Sequence, residues 1–448
     1  MVSPRYETRN IGIFLLYERD GRSIVRAEIY NLERAREYAG YPVYWLGRGG
    51  AEESLNLLRS LVGIVGSIDA ADHLTDAIGA HDDPRVAAIL KDLIRNSKVE
   101  KVRTTAVSWL GHLQGETPFL AALVRDERES VKVRKEAAEA IGESQEGAAL
   151  PLLQNLYRSV GSREVKREIL DAISGDRLEE GAVNFLIEIA EREPDRELRK
   201  EAIEGLGEKK DSLSLKALDK IANDSEAGSE SQRAAVEAIG ERPEDEALPL
   251  LKKIARSHPA PQVRREAIER LGELPGQISY LGELARNEAE NLDARRRAVE
   301  AIAESRNAES ISTLKQLYAV ISNRELKRKI IESFEECEDR KVAIDFLLEV
   351  ARGDSDRQAR EQAFSTLGDM NDDRAIEAIT QLYDAERNEE LKAKVLSALG
   401  DSNSSRALKK LMEVAKSDSS FNLRKKAISL LAESDDPEAV KFLEALVR

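Results

Sequence analysis

Apolar residues recur at helical spacing along most of this chain, and one ten-residue pattern closes each period. Residues 263–272 read VRREAIERLG: a valine opens, a basic residue follows, Ala267, Ile268 and Leu271 share one helical face, and a glycine closes. Near copies stand at 102–111 (VRTTAVSWLG), 133–142 (VRKEAAEAIG), 198–207 (LRKEAIEGLG) and 391–400 (LKAKVLSALG). The closing position falls at Gly79, Gly111, Gly142, Ser174, Gly207, Gly240, Gly272, Ala303, Glu335, Gly368, Gly400 and Ala432, at intervals of 31 to 33 residues. A fixed period of that length predicts stacked supersecondary units sharing one continuous core. Each unit reads as two helices. The first is carried by segments such as 182–190 (AVNFLIEIA), 248–255 (LPLLKKIA) and 407–415 (ALKKLMEVA), and the second by the repeating pattern. Polar turns such as HDDP at 81–84 and DDP at 435–437 separate the units. Their prolines suit a first helical turn, and the closing glycines are expected to act as left-handed C-caps.

The first 66 residues follow another pattern. Residues 11–17 (IGIFLLY) form a continuous apolar run, Asp20-Gly21 is a hairpin turn signal, and 24–30 alternates, with Val25, Ala27 and Ile29 toward a core and Arg26 and Glu28 toward water. This predicts a two-stranded hairpin, which needs a neighbour to pack on. Residues 38–47 (YAGYPVYWLG) hold three of the ten tyrosines and one of the two tryptophans. They read as an apolar plug between hairpin and helices, with an aromatic ligand site as the alternative. Residues 51–65 carry Leu55, Leu58, Leu61 and Val65 at helical spacing. The predicted organisation is a cap over 1–66 and a repeat array over 67–448.

Composition sharpens this picture. Of the 448 residues, 34% are charged, 41% hydrophobic and 4% aromatic, the balance of amphipathic helices. The formal charge of −15 opposes general binding to nucleic acid or anionic lipid and favours basic partners. A single cysteine, Cys337, rules out an intrachain disulfide and fits a reducing compartment. No apolar run approaches the ~18 residues of a membrane span. The first residues, MVSPRYETRN, lack the apolar core of a signal peptide. A cytoplasmic location is expected of the chain as it stands, and a periplasmic one if an export signal has been removed.

The pattern resembles HEAT repeats, in particular the short bacterial HEAT-like class, over about 380 of the 448 residues. GYPVYWLG followed by AEESLNLL also resembles the leader of large bacterial HEAT-repeat proteins, whose members are often exported. The resemblance implies an all-α, right-handed α-solenoid of about twelve two-helix repeats, here with a small N-terminal β-hairpin cap, whose second helices line a concave groove.

Two charged rows run along the second helices. At the second position of the pattern stand Arg103, Arg134, Lys166, Arg199, Arg264, Arg295, Lys327, Arg360, Lys392 and Arg424, with Gln232 as a break. The resemblance implies a structural ladder bonded to acidic or carbonyl groups of the turns. The acids Asp195, Asp293 and Asp356 lie just before it, and the alternative is a grip on a polyanion. One and five positions later come Lys135 and Glu139, Arg167 and Asp171, Lys200 and Glu204, Arg233 and Glu237, Arg265 and Glu269, Arg296 and Glu300, and Arg328 and Glu332. Their spacing is that of i,i+4 ion pairs. The last units replace the acid by Ser365, Ser397 and Ser429, and the first full unit has Thr104 and Ser108. This stripe is either a solvated face or a groove for an extended, charge-patterned peptide. Trp109, the one tryptophan of the repeats, and Glu335 at a closing position are further candidates for the groove; core packing is the plainer role for Trp109.

No catalytic constellation accompanies the repeats. His73, His81, His112 and His258 share no zinc spacing, and no HExxH, P-loop, Rossmann glycine motif or GxSxG elbow occurs. Deoxyhypusine hydroxylase is a HEAT-repeat enzyme with His-Glu iron ligands, and this chain contains no His-Glu dipeptide. The expectation is a non-enzymatic scaffold, without cofactor or metal, that binds a protein or peptide of basic or mixed charge. The alternatives are a lyase-like HEAT-repeat enzyme subunit acting on a chromophore or modified protein, and a nucleic-acid binder working through the basic ladder.

Overall fold

The computed structural model describes residues 11–19, 24–34, 42–144, 146–175, 181–370, 372–402 and 404–447. It divides into two compact units, Met1–Arg242 and Pro243–Arg448. The first opens with an antiparallel hairpin, β1 (Ile11–Tyr17) and β2 (Ile24–Asn31), followed by twelve helices. These are α1 (Ala51–Val62), α2 (Ile68–Gly79), α3 (Val86–Asn96), α4 (Glu100–Gly111), α5 (Thr117–Arg125), α6 (Val131–Glu143), α7 (Ala149–Ser159), α8 (Arg163–Ser174), α9 (Ala182–Arg192), α10 (Arg196–Glu208), α11 (Ser212–Asn223) and α12 (Gly228–Gly240). The second unit holds α13 (Glu244–Ser257), α14 (Pro261–Glu273), α15 (Ile278–Arg286), α16 (Leu292–Glu304), α17 (Ala308–Val320), α18 (Arg324–Ser333), α19 (Arg340–Gly353), α20 (Arg357–Asp369), α21 (Asp373–Ala385), α22 (Glu389–Asp401), α23 (Ser405–Ser417), α24 (Phe421–Glu433) and α25 (Pro437–Val447). Odd-numbered helices are the first of each pair and even-numbered ones the second. Each unit is a stack of such pairs, the all-α solenoid fold with a hairpin at its N-terminal end.

The repeating pattern explains the second helices locally. Ser130, Ser162, Asp195, Asn291, Asn323, Asp356, Asn388 and Ser420 each accept a backbone N–H of the first turn from the N-cap position. The apolar positions then go to the core. In α14, Val263, Ala267, Ile268 and Leu271 are all fully buried, and each large side chain contributes roughly 1.5–3 kcal/mol.

The closing glycines are not left-handed C-caps. The described glycines with positive φ are Gly47, Gly115, Gly181, Gly228 and Gly276, none of them at a closing position. The closing glycines lie in the last turns of their helices and let the next second helix approach. A methyl group built on Gly111 would stand 2.8 Å from Ala140; on Gly142, 2.9 Å from Ala172; on Gly207, 2.9 Å from Ala238; on Gly272, 2.8 Å from Ala301; and on Gly368, 2.6 Å from the carbonyl of Ala398. Each partner is the eighth residue of the following pattern. Without a Cβ, glycine permits such a backbone approach. The α8–α10 step inverts the pair: Ser174 takes the closing position, and the eighth residue of α10 becomes Gly205, where a methyl group would overlap Ser174 Oγ.

Two N-terminal expectations are corrected. Along β2, Ile24 and Ala27 are buried while Val25 is exposed. The ladder slips between Leu16 and Tyr17, so that Tyr17 faces Ile24 and Leu16 faces Arg26. Val25 is the extra residue of a bulge, and the bulge moves Ile24 onto the face of Ala27. β2 packs on α2, which supplies the hairpin's neighbour. The turn at Asp20-Gly21 and residues 38–41 lie outside the described residues. Val43, Tyr44, Trp45 and Leu46, the described apolar part of the expected plug, are 50, 84, 64 and 88% exposed. No regular element forms over 42–50 to hold these side chains against the hairpin or α1.

The Ser174–Gly205 pair yields a direct test. Gly205→Ala should destabilise the protein by about 1–3 kcal/mol through overpacking. Adding Ser174→Gly rebuilds the Gly–Ala contact of the other steps and should restore most of that loss, measured as a double-mutant cycle in urea unfolding.

Candidate functional site

The second helices carry both charged rows. Six members of the ladder donate to backbone carbonyls at the end of the first helix of their own pair. Arg103 Nε donates to Ile94 O at 2.6 Å, Arg134 Nε to Val124 O at 2.9 Å and Arg295 Nε to Ala285 O at 2.8 Å. Arg199, Arg264 and Arg424 reach the C-cap carbonyls of Glu193, His258 and Asp418 at 2.6, 2.5 and 2.5 Å. Gln232, the break in the row, does the same work with its amide, 2.9 Å from Asp224 O. These acceptors belong to the carbonyls a helix leaves unbonded at its C-terminus, where a cation also meets the negative end of the dipole. The nearby acids have other roles. Asp195 and Asp356 cap α10 and α20 and pair with Arg163 and Arg324 at 2.5 and 2.9 Å, and Asp293 pairs with Arg296 at 2.6 Å. Arg360 extends the ladder on α20.

The lysines of the ladder form a second kind of tie. Lys166, Lys327 and Lys392 stand over the rings of Tyr157, Tyr318 and Tyr383 at 4.9, 4.6 and 4.5 Å. These tyrosines donate to carboxylates of the following repeat: Tyr157 to Glu193 at 2.8 Å, Tyr318 to Asp354 at 2.6 Å and Tyr383 to Asp418 at 2.7 Å. Burial and the accepting carboxylate push all three hydroxyls far above the usual tyrosine range. Nine residues before a lysine stands a tyrosine, whereas Ala190, Ala255, Ala351 and Ala415 precede Arg199, Arg264, Arg360 and Arg424 by the same interval. That correlation is visible in the sequence and was missed there.

The charge stripe is built differently from its i,i+4 reading. Within one helix, ion pairs close at Lys200–Glu204 (3.1 Å) and Arg328–Glu332 (3.4 Å). Other cations of the stripe cross to the next second helix: Lys135 to Glu168 and Arg167 to Glu201 at 2.6 Å each, Arg265 to Asp293 at 3.9 Å and Arg296 to Glu325 at 3.8 Å. Stacked helices lie about 8–10 Å apart, which puts a neighbour's carboxylate within reach of a long side chain. Arg233 and Glu237 continue the row on α12.

The fourth position of the pattern differs between second helices, and the acid persists into the second unit as Glu266 of α14. The position is Glu136, Glu168 and Glu201 on α6, α8 and α10, but Arg297, Lys329 and Lys394 on α16, α18 and α22. In the second unit these cations neutralise the stripe. Arg297 contacts Glu269, Glu300 and Glu304 at 3.1, 3.4 and 3.0 Å, Lys329 contacts Glu300 at 3.5 Å, and Lys394 contacts Glu361 at 3.7 Å. In the first unit acids accumulate. Glu136, Glu139, Asp171 and Glu208 form no ion pair among the described residues. Partial burial, and then neighbouring carboxylates, push the Glu139 and Asp171 carboxyls up, and the same two causes act on Glu136 and Glu208.

Trp109 sits at the eighth position of α4, laid across Gly79 of α2. Its indole N–H donates to Asp76 Oδ1 at 3.0 Å, and its ring meets His112 edge-on at 5.9 Å between centroids. It fills the place an alanine takes in other repeats. Among the described residues no group of three or more His, Cys, Asp or Glu side chains is arranged to hold a metal ion, and no helix is long and apolar enough to cross a membrane.

A family model of HEAT repeats matches residues 88–174, 183–272, 229–294, 251–335, 278–368, 321–400 and 376–448. The chain is a HEAT-repeat protein. No curated protein matches it in sequence. Among solved structures, it is similar to human deoxyhypusine hydroxylase in complex with glycerol, at 15% identity over 64% of this chain and 95% of that one, with a TM-score of 0.25. It is also similar to Kap121p bound to Pho4p (12% identity, 90% of this chain and 48% of that one, TM-score 0.34). A third is Kap95p with RanGDP (14% identity, 86% and 60%, TM-score 0.37). This HEAT-repeat chain thus spans about half the length of Kap121p.

Two measurements follow from these ties and charges. Tyr318→Phe removes a hydroxyl donated to a carboxylate and should lower stability by about 1–3 kcal/mol in urea unfolding, since hydrogen bonds to charged groups fall in that range. The raised carboxyls have a definite sign: ionisation is penalised in the folded state, so the penalty is present near neutral pH and disappears as pH falls through the raised values. Glu139→Gln/Asp171→Asn/Glu208→Gln should therefore raise the melting temperature by about 1–2 °C near pH 7, with the gain vanishing near pH 4. Asp83 and Asp126, each held down to about 2 by hydrogen bonds from Arg85 and Arg128, act oppositely: their contribution is lost only as pH falls toward that value.

Proposed function

We propose that this HEAT-repeat protein is a non-enzymatic scaffold that binds a protein or peptide segment rich in lysine and arginine along the second helices α6, α8, α10 and α12. The observation that carries this reading is the excess of acid on that face, where Lys135, Arg167 and Lys200 pair with Glu168, Glu201 and Glu204 while Glu136, Glu139 and Asp171 form no ion pair among the described residues. Glu139, Asp171, Glu204 and Glu237 hold the seventh position on four successive second helices, and Glu136, Glu168 and Glu201 hold the fourth on three of them. The second unit keeps an acid at the fourth position in α14, Glu266, and places cations there on α16, α18, α22 and α24. The ladder is engaged with carbonyls and rings, which weighs against its use as a grip on nucleic acid.

A fluorescent oligo-lysine peptide tests the assignment. Glu139→Lys/Asp171→Lys/Glu204→Lys should weaken binding about tenfold at low salt, with each exposed pair worth a few tenths of a kcal/mol. Glu188→Lys/Glu191→Lys/Asp219→Lys changes the net charge equally on the first helices α9 and α11, and should have a much smaller effect. An equal loss in both triple variants would show attraction to net charge only and would remove the second-helix face from the assignment.

A further inference from the structure

We infer that the step from α18 to α20 is a joint at which the Pro243–Arg448 unit opens and closes. The inference does not depend on the identity of any partner. The steps α14–α16 and α20–α22 are locked by the close approach of Gly272 to Ala301 and of Gly368 to Ala398. At α18 the lock is missing. The closing position is Glu335, and the eighth position of α20 is Thr366 rather than alanine. The step before it, with Ala303 and Ser333, also lacks the glycine. The helix itself stops short: α18 has 10 residues and ends at Ser333, before its closing position, whereas α14, α16, α20, α22 and α24 have 13. It gives way to i→i+3 turns, with Phe334 N–H on Ile331 O at 3.2 Å and Glu335 N–H on Glu332 O at 3.1 Å.

The other side of the same repeat is tightly fastened. Phe334 turns into the core and packs on Phe346 of α19, with centroids 4.3 Å apart, and Tyr318 meets the same ring edge-on at 5.3 Å. Tyr318 also donates to Asp354 at 2.6 Å. The loop after α18 is tied to Arg306 through Glu336 and to Arg340 through the Glu335 carbonyl. The first helices α17 and α19 thus form a pivot, while the second helices α18 and α20 lack the Gly–Ala approach at their C-terminal ends and are held at their N-terminal ends by the Arg324–Asp356 ion pair. A cavity of about 300 Å³ lies between these two helices, lined by Arg324, Glu325, Lys327, Arg328, Asp356 and Gln358, with Ala359 at its edge. Glu335 meets like charge from Asp369 on α20 and from its neighbours Glu336 and Glu332, which Arg340 offsets in part, while Glu332 and Glu336 are themselves paired with Arg328 and Arg306. Rotation about the pivot widens or narrows the second-helix face at this step and leaves the locked steps α14–α16 and α20–α22 intact.

The test uses hydrogen–deuterium exchange on the full chain, comparing wild type with Glu335→Gly and with Glu335→Gly/Thr366→Ala, which rebuilds the Gly–Ala contact. In wild type, the last turn of α18 should exchange about tenfold faster than the last turn of α14, and the double variant should slow it by a similar factor. Glu335→Gly alone should give an intermediate result, so a misfolded double variant still leaves a reading. A distance measurement between spin labels at Arg328→Cys and Gln362→Cys, in a Cys337→Ser background, should show a broad distribution that narrows in the same variants. Equal exchange in α18 and α14, or a distribution that stays unchanged when the glycine and alanine are introduced, would overturn the joint.

Discussion

The close approach of one second helix to the next is the constraint on which the rest of this structure depends. It is made by a residue pair separated by 29 or 30 positions in most steps, a glycine at the end of one pattern and a small residue at the eighth position of the next. Neither residue contributes much buried area. Their effect is to let backbones meet, so that the valine, isoleucine and leucine positions of successive helices share one core. The contact tolerates exchange of its members, provided the combined bulk stays small. Ser174 with Gly205 satisfies it in reverse order, and Gly79 accepts the flat face of Trp109. What it does not accept is bulk on both sides, and there the stack changes character.

Much of this lattice was legible in the sequence. Period, helix pairing and core positions follow from apolar spacing, because twelve noisy copies of one pattern average out the ambiguity of each. The role of the closing glycine was not legible from one copy. A glycine at the end of an apolar helix satisfies the C-cap reading and the close-approach reading equally, and only the small residue one period later separates them. The ladder was half legible. Basic character at the second position signals a tie, and turn acids such as Glu129 for Arg103 take part in it, but most acceptors of the arginines are main-chain carbonyls, which leave no mark in the side-chain sequence. The acids Asp195 and Asp356 were misleading for that reason: they are near in sequence but serve as helix caps. Residues 42–46 show the opposite failure. Their composition resembles core, yet without a regular element to hold them they stay in solvent.

The charge stripe exposes a further limit of one-dimensional reading. A cation and an acid four residues apart on one helix suggest a pair, but in a stacked array the neighbouring helix offers a competing carboxylate about one period away. Lys135 and Arg167 take that option, and Lys200 does not. Geometry decides between them residue by residue. The consequence is electrostatic rather than architectural. Where the cations cross to fourth-position acids, the seventh-position acids Glu139 and Asp171 are left to repel one another. Where the fourth position is itself basic, as at Arg297, three carboxylates are gathered around one guanidinium.

Lattice and surface are therefore separable in most repeats. The first, fifth, sixth and ninth positions build the core, the eighth and tenth set the spacing, and the second closes the first helix. The third, seventh and eleventh positions remain open to whatever charge a partner requires, at little cost to folding, because exposed substitutions rarely matter much to stability. At the closing position, the α18 repeat is where this separation breaks down. A charged residue there occupies a spacing position, so one substitution alters surface charge and backbone approach together. An acid that served only binding had free positions available on the same helix. Its placement at Glu335 loosens the stack, and that favours a role in the motion of the array over a role in recognition.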